Sequence, residues 1–186
     1  MIRTIPDDIL TRQAEPITGD STDDDLLALD RKLLAEWDDG VAGIAAPQIG
    51  ESVRAVAVKL SFNAWPITLI NPVIAHVNGD PTYESERCLS VVDGVGRMIP
   101  LDIGRARQVG VLADVMVDGR PHHRRVTHPT AGVKVNMLLN GFDARLVQHE
   151  VDHLDGITIL DRAWPVMSRQ QRRSLSRKLP AGVVLP

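Results

Sequence analysis

The feature that most constrains the fold is a helix that the sequence predicts over residues 143–155. Its apolar residues recur with the spacing of a helix that packs one side against a core: Leu146, Val147, Val151 and Leu154. The same segment contains His149-Glu150-Val151-Asp152-His153. Residues four apart share a helical face, so both imidazoles can reach one metal ion and Glu150 can act as a general base. The pattern predicts a metal-binding helix at the centre of the fold.

The third ligand of this metal is open from the residues alone. A catalytic site usually has three protein ligands and one open position. Asp155 would point away from the metal face of a continuing helix, which leaves Asp161 downstream and Cys88 far upstream. Cys88 is the only cysteine, so no disulfide can form within the chain, and a lone cysteine is often a buried small hydrophobe.

The rest of the chain predicts an α+β fold in a single domain, 1–186, with N-terminal and C-terminal helices. The first helix starts at a capping box in Ser21-Thr22-Asp23-Asp24 and stops near Gly40, and the last covers 168–179. Asn71-Pro72 interrupts one strand, which predicts an edge strand or a strand end. The short antiparallel strands predicted around the central helix are 53–60, 67–74, 109–117 and 133–139.

Composition excludes several classes of protein. Hydrophobic residues make up 44% of the chain and charged residues 24%, which is ordinary for a globular domain. No apolar run reaches the roughly 18 residues of a membrane-spanning helix, and the N-terminus carries no signal-peptide pattern. The net charge of -3 does not favour DNA or general nucleic-acid binding. We therefore expect a cytoplasmic protein without membrane association.

A third informative segment lies at 43–50, Gly43-Ile44-Ala45-Ala46-Pro47-Gln48-Ile49-Gly50. Its small residues allow a backbone to approach a ligand closely. Gln48 is the polar residue in this apolar stretch. It is either a satisfied core amide or a placed hydrogen-bond donor.

Taken in order, three segments resemble the signature motifs of the peptide deformylases, GxGxAAxQ, EGCLS and HExDHxxG. Here they are Val41-Ala42-Gly43-Ile44-Ala45-Ala46-Pro47-Gln48, Glu86-Arg87-Cys88-Leu89-Ser90 and His149-Glu150-Val151-Asp152-His153-Leu154-Asp155-Gly156. Pro6-Asp7, Ile70-Asn71-Pro72 and Ala144-Arg145 are also similar to the family, so the resemblance covers nearly the whole chain.

The resemblance implies a metal-dependent hydrolase that removes the N-formyl group from N-formylmethionyl peptides and releases formate. Cys88, His149 and His153 would hold one divalent ion, Fe2+ first, with Zn2+, Ni2+ or Co2+ as substitutes. Glu150 would be the base, while the Gln48 amide and the Leu89 N–H would stabilise the oxyanion. The methionine pocket would draw on Ala42, Gly43, Phe142, Arg145 through its methylene stem, and Leu146.

The chain departs from the family pattern at four places. Val41 and Arg87 stand where the motifs have glycine, and Arg87 would be strained if its backbone needed a positive φ. Asp93 brings a carboxylate close to the cysteine motif. The gap between Cys88 and His149 is longer than usual, which predicts an insertion at about 114–132 that is either a surface loop or hairpin, or a lid or docking arm.

Three hypotheses about function follow. The first is an active deformylase of nascent chains, and the second a related amidase acting on a different N-acyl substrate. The third is a metal-retaining protein with little catalytic activity. The basic C-terminal helix is either a solvated face or a transient contact with the ribosome.

Overall fold

The computed structural model describes residues 1–118, 124–126 and 134–186. Short 3-10 turns at Asp8–Thr11, Ala46–Ile49 and Trp164–Val166 lie between the main elements. In chain order those elements are α1 (Asp23–Ala35), β1 (Gly43–Ala45), β2 (Ala55–Val58), β3 (Ile67–Asn78), β4 (Thr82–Glu86), β5 (Leu101–Arg105), β6 (Gln108–Asp118), β7 (Arg124–Val126), β8 (Lys134–Asn140), α2 (Gly141–Leu154), α3 (Ile159–Ala163) and α4 (Arg169–Ser176).

The main sheet is antiparallel, in the order β1-β2-β3-β6-β7, and β8 pairs with β6 beside β7. Its two faces bury different cores. Alternate residues of β2, β3 and β6 point to α2, among them Val56, Leu69 and Val111. The opposite face, with Ala57 and Ile70, packs against the leucines of α1. Period-two alternation therefore places the sheet between the two helices.

Strands β4 and β5 form a separate antiparallel hairpin. Ile103 of β5 packs in a third core together with Cys88, Ile159, Leu160 and Leu175. Salt bridges join this hairpin to α2, between Arg105 and Asp152 and between Glu86 and Arg145. Helix α2 thus has the main sheet on one side and the hairpin on another, which confirms the predicted α+β arrangement of antiparallel strands around the HExxH helix.

The prediction that the strand at 67–74 ends at Asn71-Pro72 is wrong, whereas the alternative that it lies at an edge there is confirmed, because beyond Ile70 β3 pairs with β6 alone among the described residues. Residues Ile67–Ile70 pair with β2 on one side and with β6 on the other, and β3 then continues to Asn78 along β6. A register shift between Ile70 and Val73 accommodates the proline, at the point where pairing with β2 has stopped. Asn71 adopts a φ of 49°, and its side-chain amide bonds both backbone groups of Ile17.

The predicted helices are present with different ends. Helix α1 begins after a capping box formed by Thr22 and Asp25 and ends at Ala35, before Gly40. Helix α4 is shorter than the predicted 168–179, because the chain closes into a turn at Lys178, whose N–H donates to Leu175. Within the described residues, no helix combines the length and the apolar character that crossing a bilayer requires.

The predicted insertion at 114–132 is only partly covered by the structure. Residues 114–118 belong to β6, and 114–116 pair with β3, so this part is sheet and not a surface loop. Arg124–Val126 forms β7, antiparallel to the end of β6. The remainder of the segment, including His122, His123 and His128, lies outside the described residues.

Candidate metal and catalytic site

Three side chains form a group that can hold a metal ion: Cys88, His149 and His153. Cys88 lies in the loop after β4, and the two histidines are one turn apart on α2. Their ligand atoms all lie within 4.8 Å of one another. The structure therefore brings together two distant segments of chain that the sequence left unconnected without the family resemblance.

The sulfur and the imidazoles are close enough to affect one another. Cys88 Sγ lies 3.2 Å from His153 Nε2, and the two imidazole centroids are 5.3 Å apart. Burial raises the pKa of the Cys88 thiol, but the charges and hydrogen bonds of His153 and His149 outweigh it and hold this pKa well below its usual value. The site thus favours a thiolate, which is the form that ligates metals.

Glu86 orients one of the two histidines. Its Oε2 lies 2.9 Å from His149 Nδ1, which leaves the other ring nitrogen to bind a metal ion. Arg105 binds both carboxylate oxygens of Glu86, each at 3.0 Å, and Arg145 donates to Oε1 at 2.6 Å. Burial raises the pKa of Glu86, but the hydrogen bonds from His149 and Arg105 lower it to about 2. Glu86 is consequently a carboxylate held in place by two arginines.

The ion pairs around Glu86 extend further, through Asp152 of α2 to Arg162 of α3. Arg105 also binds Asp152, which in turn pairs with Arg162. The side chains of Arg105 and Asp152 are only 3% and 8% exposed, and each has its charge compensated. Buried pairs of this kind hold a geometry, because removing one partner leaves a charge without compensation.

Glu150 lies on the same helix but in an opposite environment. It is 3% exposed, and its Oε2 has no hydrogen-bond partner within the described residues. Its side chain lies against β1: a Cβ added to Gly43 would come within 2.5 Å of Glu150 Oε1. Burial raises the pKa of Glu150, against the opposing charges of His149 and His153. A carboxylate of this kind is suited to proton transfer.

The Gln48 amide is placed by β1 and aimed at the cysteine loop. Its Oε1 accepts a hydrogen bond from Ala45 N at 2.8 Å, which fixes which end of the amide is the donor. Its Nε2 lies 3.1 Å from Ser90 Oγ and 3.7 Å from Cys88 Sγ. Of the two alternatives, the structure places this donor beside the ligand group. The Leu89 N–H makes no hydrogen bond with the described residues.

The residues predicted around the substrate do not all share one space. Ala42, Val41 and Phe142 line a surface cavity of about 270 Å³ beside Ser61. Phe142 is 61% exposed there, whereas Leu146 is 7% exposed and packs in the core between α2 and the sheet. The Arg145 guanidinium is bound to the β4–β5 hairpin, which leaves only its methylene stem for a pocket.

The atypical residues cause no visible distortion. Arg87 is exposed and is not among the residues with a positive φ, so the strain considered from the sequence does not arise. Val41 packs at the edge of the core beneath α1. Asp93 accepts hydrogen bonds from Val95 N and Arg97 N, both at 2.9 Å, and thereby closes a turn.

Sequence reasoning missed the residues that support the ligands. Glu86 lies inside a recognised motif and Asp152 inside the HExxH pattern, but neither motif predicts which arginines pair with these carboxylates. Arg105 carries no motif, and its role depends on the β4–β5 hairpin, which the sequence did not predict. Asp161, the open alternative as third ligand, instead caps α3 through Thr158.

The donor set fits a divalent metal ion. One thiolate and two imidazoles are the ligands that zinc and related transition metals prefer, and they leave a fourth position open. The unpartnered Glu150 Oε2 adds a buried acceptor on the same helix as both histidines. Site and fold together indicate a metal-dependent hydrolase.

Comparisons with known proteins identify the family. The sequence model of polypeptide deformylase matches residues 1–171. The peptide deformylase of Dictyoglomus thermophilum is 37% identical over 164 residues, covering 87% of this chain and 91% of that protein. That of Desulforudis audaxviator is 34% identical, covering 89% and 94%. The chain belongs to the polypeptide deformylase family.

Solved structures agree with this assignment. The peptide deformylase of Synechococcus elongatus, in complex with actinonin, superposes with a TM-score of 0.77 at 26% identity and covers all of this chain and 90% of its own. The Thermotoga maritima enzyme gives 0.68 at 30% identity, with 87% and 95% covered. The family resemblance read from the three motifs is confirmed.

Proposed function

We propose that this protein is a metal-dependent peptide deformylase that removes the N-formyl group from the N-terminal methionine of nascent polypeptides and releases formate. The observation that carries the proposal is the buried Glu150 carboxylate on the same helix as His149 and His153, whose Oε2 has no hydrogen-bond partner within the described residues. Cys88 completes the ligand set. Glu150 and the three ligands together supply a base and a metal site, the two components that metal-dependent hydrolysis of an amide uses.

Cys88, His149 and His153 would hold one divalent ion. In this chemistry the ion supplies Lewis acidity, which lowers the pKa of water and polarises a carbonyl group. We propose Fe2+ as the physiological ion, with Zn2+, Ni2+ or Co2+ as substitutes. Cys88 supports a transition metal, because thiolate ligands disfavour Mg2+ and Ca2+.

Glu150 would move the proton. Its Oε2 accepts a proton from the water that attacks the formyl carbon and returns it to the departing amine. The raised pKa of Glu150 suits this role, because burial makes its carboxylate a stronger base than an exposed one. The close approach of Gly43 holds the carboxylate in place against β1.

Gln48 and Leu89 would stabilise the negative charge that develops on the formyl oxygen. The Gln48 amide is oriented by its bond to Ala45, and the Leu89 N–H is free of partners within the described residues. Donors fixed before the reaction stabilise the transition state without reorganising, and each is worth about 3–4 kcal/mol in such sites.

We propose that the substrate's methionine side chain lies near Ala42, Gly43, Phe142 and Leu146, with the Arg145 stem as a further wall. The cavity beside Ala42 and Phe142 supports the first of these contacts. Peptide selectivity would then come from apolar contact and the peptide backbone, because a formyl group has little surface of its own.

Three broader aspects also belong to the proposal: a cytoplasmic location, a single catalytic domain over 1–186, and a transient ribosome contact through α4. The exposed basic residues Arg169, Arg173 and Arg177 support that contact. Arg172 is less available, because it stacks over Trp164 with 5.1 Å to the ring centroid and bonds the Trp164 carbonyl.

The test is formate release from formyl-Met-Ala-Ser by anaerobically prepared, iron-loaded protein, with metal content determined on the same sample. Glu150→Gln should retain about one metal per chain and lose about 10²–10⁴-fold in kcat, because it keeps the shape but removes the base. The matched control is Glu51→Gln, a surface carboxylate paired with Lys32, which should behave as wild type.

Two outcomes would contradict the proposal. Turnover of a different N-acyl peptide without turnover of the formyl-Met peptide would favour the related amidase. Loaded wild-type protein as slow as Glu150→Gln on every substrate would favour a metal-retaining protein with little catalysis.

A further inference from the structure

We propose that Arg145 is a positioning residue of the metal site, acting through Glu86 on His149. The proposal deepens the proposed function, and its main readout, metal affinity, does not depend on turnover. It differs from the expectation that Arg145 serves chiefly as a wall of the methionine pocket.

The guanidinium of Arg145 is fully engaged by the β4–β5 hairpin. Its Nη1 donates to Glu86 Oε1 at 2.6 Å and to the Ile103 carbonyl at 3.0 Å. Its Nη2 donates to the carbonyl of Thr82 at 2.7 Å and to its hydroxyl at 3.1 Å, and its Nε lies 3.5 Å from Glu84. With these acceptors in place, the guanidinium is committed to the hairpin and not to a substrate.

Charge explains why Glu86 needs this second arginine. Arg105 is shared between two carboxylates, Glu86 and Asp152, so it does not neutralise Glu86 alone. Arg145 supplies the additional cation at Oε1, while Oε2 accepts from His149. Without Arg145, Oε1 keeps only its bond from Arg105, so the carboxylate is less firmly fixed and its bond to His149 weakens.

The same contacts join the two segments that carry the ligands. Arg145 lies one helical turn before His149 on α2, and Glu86 lies two residues before Cys88. One side chain therefore ties the ligand helix to the ligand loop. A contact that orients a ligating histidine in this way typically changes metal affinity by about 10–100-fold.

The experiment compares Arg145→Met and Arg145→Lys with Arg54→Met. Arg54 is the matched control, because it too is a largely buried arginine that bonds α2, through the Leu154 carbonyl, and the following Asp155. It makes no hydrogen bond or ion pair with Glu86. Zn2+ affinity is measured by chelator competition, and the absorption spectrum of the Co2+-loaded protein reports ligand geometry. Unfolding midpoints of the metal-free proteins control for stability.

Arg145→Met should bind Zn2+ about 10–100-fold more weakly, with an altered Co2+ spectrum. Arg145→Lys keeps the charge but not the paired donors of the guanidinium, so its Zn2+ affinity should lie between those of Arg145→Met and wild type. Arg54→Met should keep wild-type affinity and spectrum even where its unfolding midpoint falls. With saturating metal, the variants should lose kcat, while their KM ratio between formyl-Met and formyl-Leu peptides stays at the wild-type value.

Unchanged Zn2+ affinity in both Arg145 variants would overturn the proposal, as would an equal loss of affinity in Arg54→Met. A changed KM ratio with unchanged affinity would make Arg145 a substrate residue instead. If Arg145→Met does not fold, Arg145→Lys carries the same comparison. An inactive but metal-loaded wild type would overturn the proposed function, while the affinity order would still support the positioning role.

Discussion

Glu86 and Glu150 are both buried carboxylates at the ligand group, but the regions that surround them have opposite character. Glu86 belongs to the hairpin side, where two arginines and His149 engage both of its oxygens. Glu150 faces the β1 side, where Gly43 approaches it and its Oε2 has no partner within the described residues. Accordingly the pKa of Glu86 falls to about 2, and that of Glu150 rises.

The difference supports the two roles proposed for these carboxylates. A carboxylate with a strongly lowered pKa stays charged and can orient a ligand, whereas one with a raised pKa can exchange a proton. We call the β4–β5 side, with Glu86 and its arginines, the supporting region, and the β1 side, with the proposed base Glu150, the reactive region. Both regions meet at α2, since this helix carries the histidine that Glu86 bonds as well as Glu150.

The largest effect should come from truncating these carboxylates one at a time. Glu86→Ala leaves Arg105 and Arg145 with uncompensated buried charge, so the free energy of unfolding should fall by about 3–5 kcal/mol. Glu150→Ala should cost far less, because this carboxylate is desolvated and its Oε2 has no hydrogen-bond partner in the part of the chain that the structure describes. Denaturant unfolding of the metal-free proteins measures the contrast.

Equal losses in the two variants would contradict the comparison, because they would mean that Glu150 has a stabilising partner as Glu86 has. The loaded proteins add a second readout. Glu86→Ala should also bind Zn2+ more weakly than wild type, whereas Glu150→Ala should retain the ion, since Glu150 is not among the three ligating side chains.

The sequence predicts the reactive region better than the supporting region. HExxH spacing predicts that His149 and His153 share one helical face with Glu150 beside them, and the family motifs add Cys88 and Gln48. The supporting region depends on the β4–β5 pairing, in which Glu86 lies opposite Leu101 and Arg105 opposite Thr82. Pairing between segments so far apart leaves no local pattern in the sequence, so no motif predicts the role of Arg105.

The fold shows the same division. Periodicity predicted the two main helices and four strands of the main sheet, because apolar residues recur along each segment at the spacing of its secondary structure. It was wrong about a strand end at Asn71-Pro72, where a register shift lets β3 continue to Asn78 and the Asn71 amide bonds to Ile17. The rule against proline in a central strand still holds, because pairing with β2 stops at Ile70 and β3 pairs beyond it with β6 alone among the described residues.

The next largest effect should come from Gly43→Ala in the reactive region. A Cβ at residue 43 would lie 2.5 Å from Glu150 Oε1 and 2.8 Å from Glu150 Cγ, so Gly43→Ala must displace the carboxylate. Because displacing a reacting group by about 1 Å can cost 10²-fold, we expect kcat to fall by about that factor. Metal content should be unchanged, since the ligands are not contacted.

Gly94→Ala is the control for this substitution. Nothing lies within 4 Å of a Cβ at residue 94, and its φ is not positive, so this variant should keep wild-type kcat. A Gly43→Ala protein with wild-type kcat would show that Glu150 can move away without loss, which would remove the argument that β1 fixes the base.

The smallest effect concerns Asp93, the third carboxylate near the ligand loop. It accepts backbone hydrogen bonds from Arg97 and Val95, and these lower its pKa from 3.8. A lowered pKa means that the charged form stabilises the fold above pH 3.8, and that this stabilisation is lost as the pH falls through the lower value. Asp93→Asn should therefore have a slightly lower unfolding midpoint at pH 7, and the two midpoints should converge in acid. Its kcat should match wild type, because the carboxylate closes a turn and has no recorded contact with the three ligand residues. A large loss of kcat would instead place Asp93 with the reactive region.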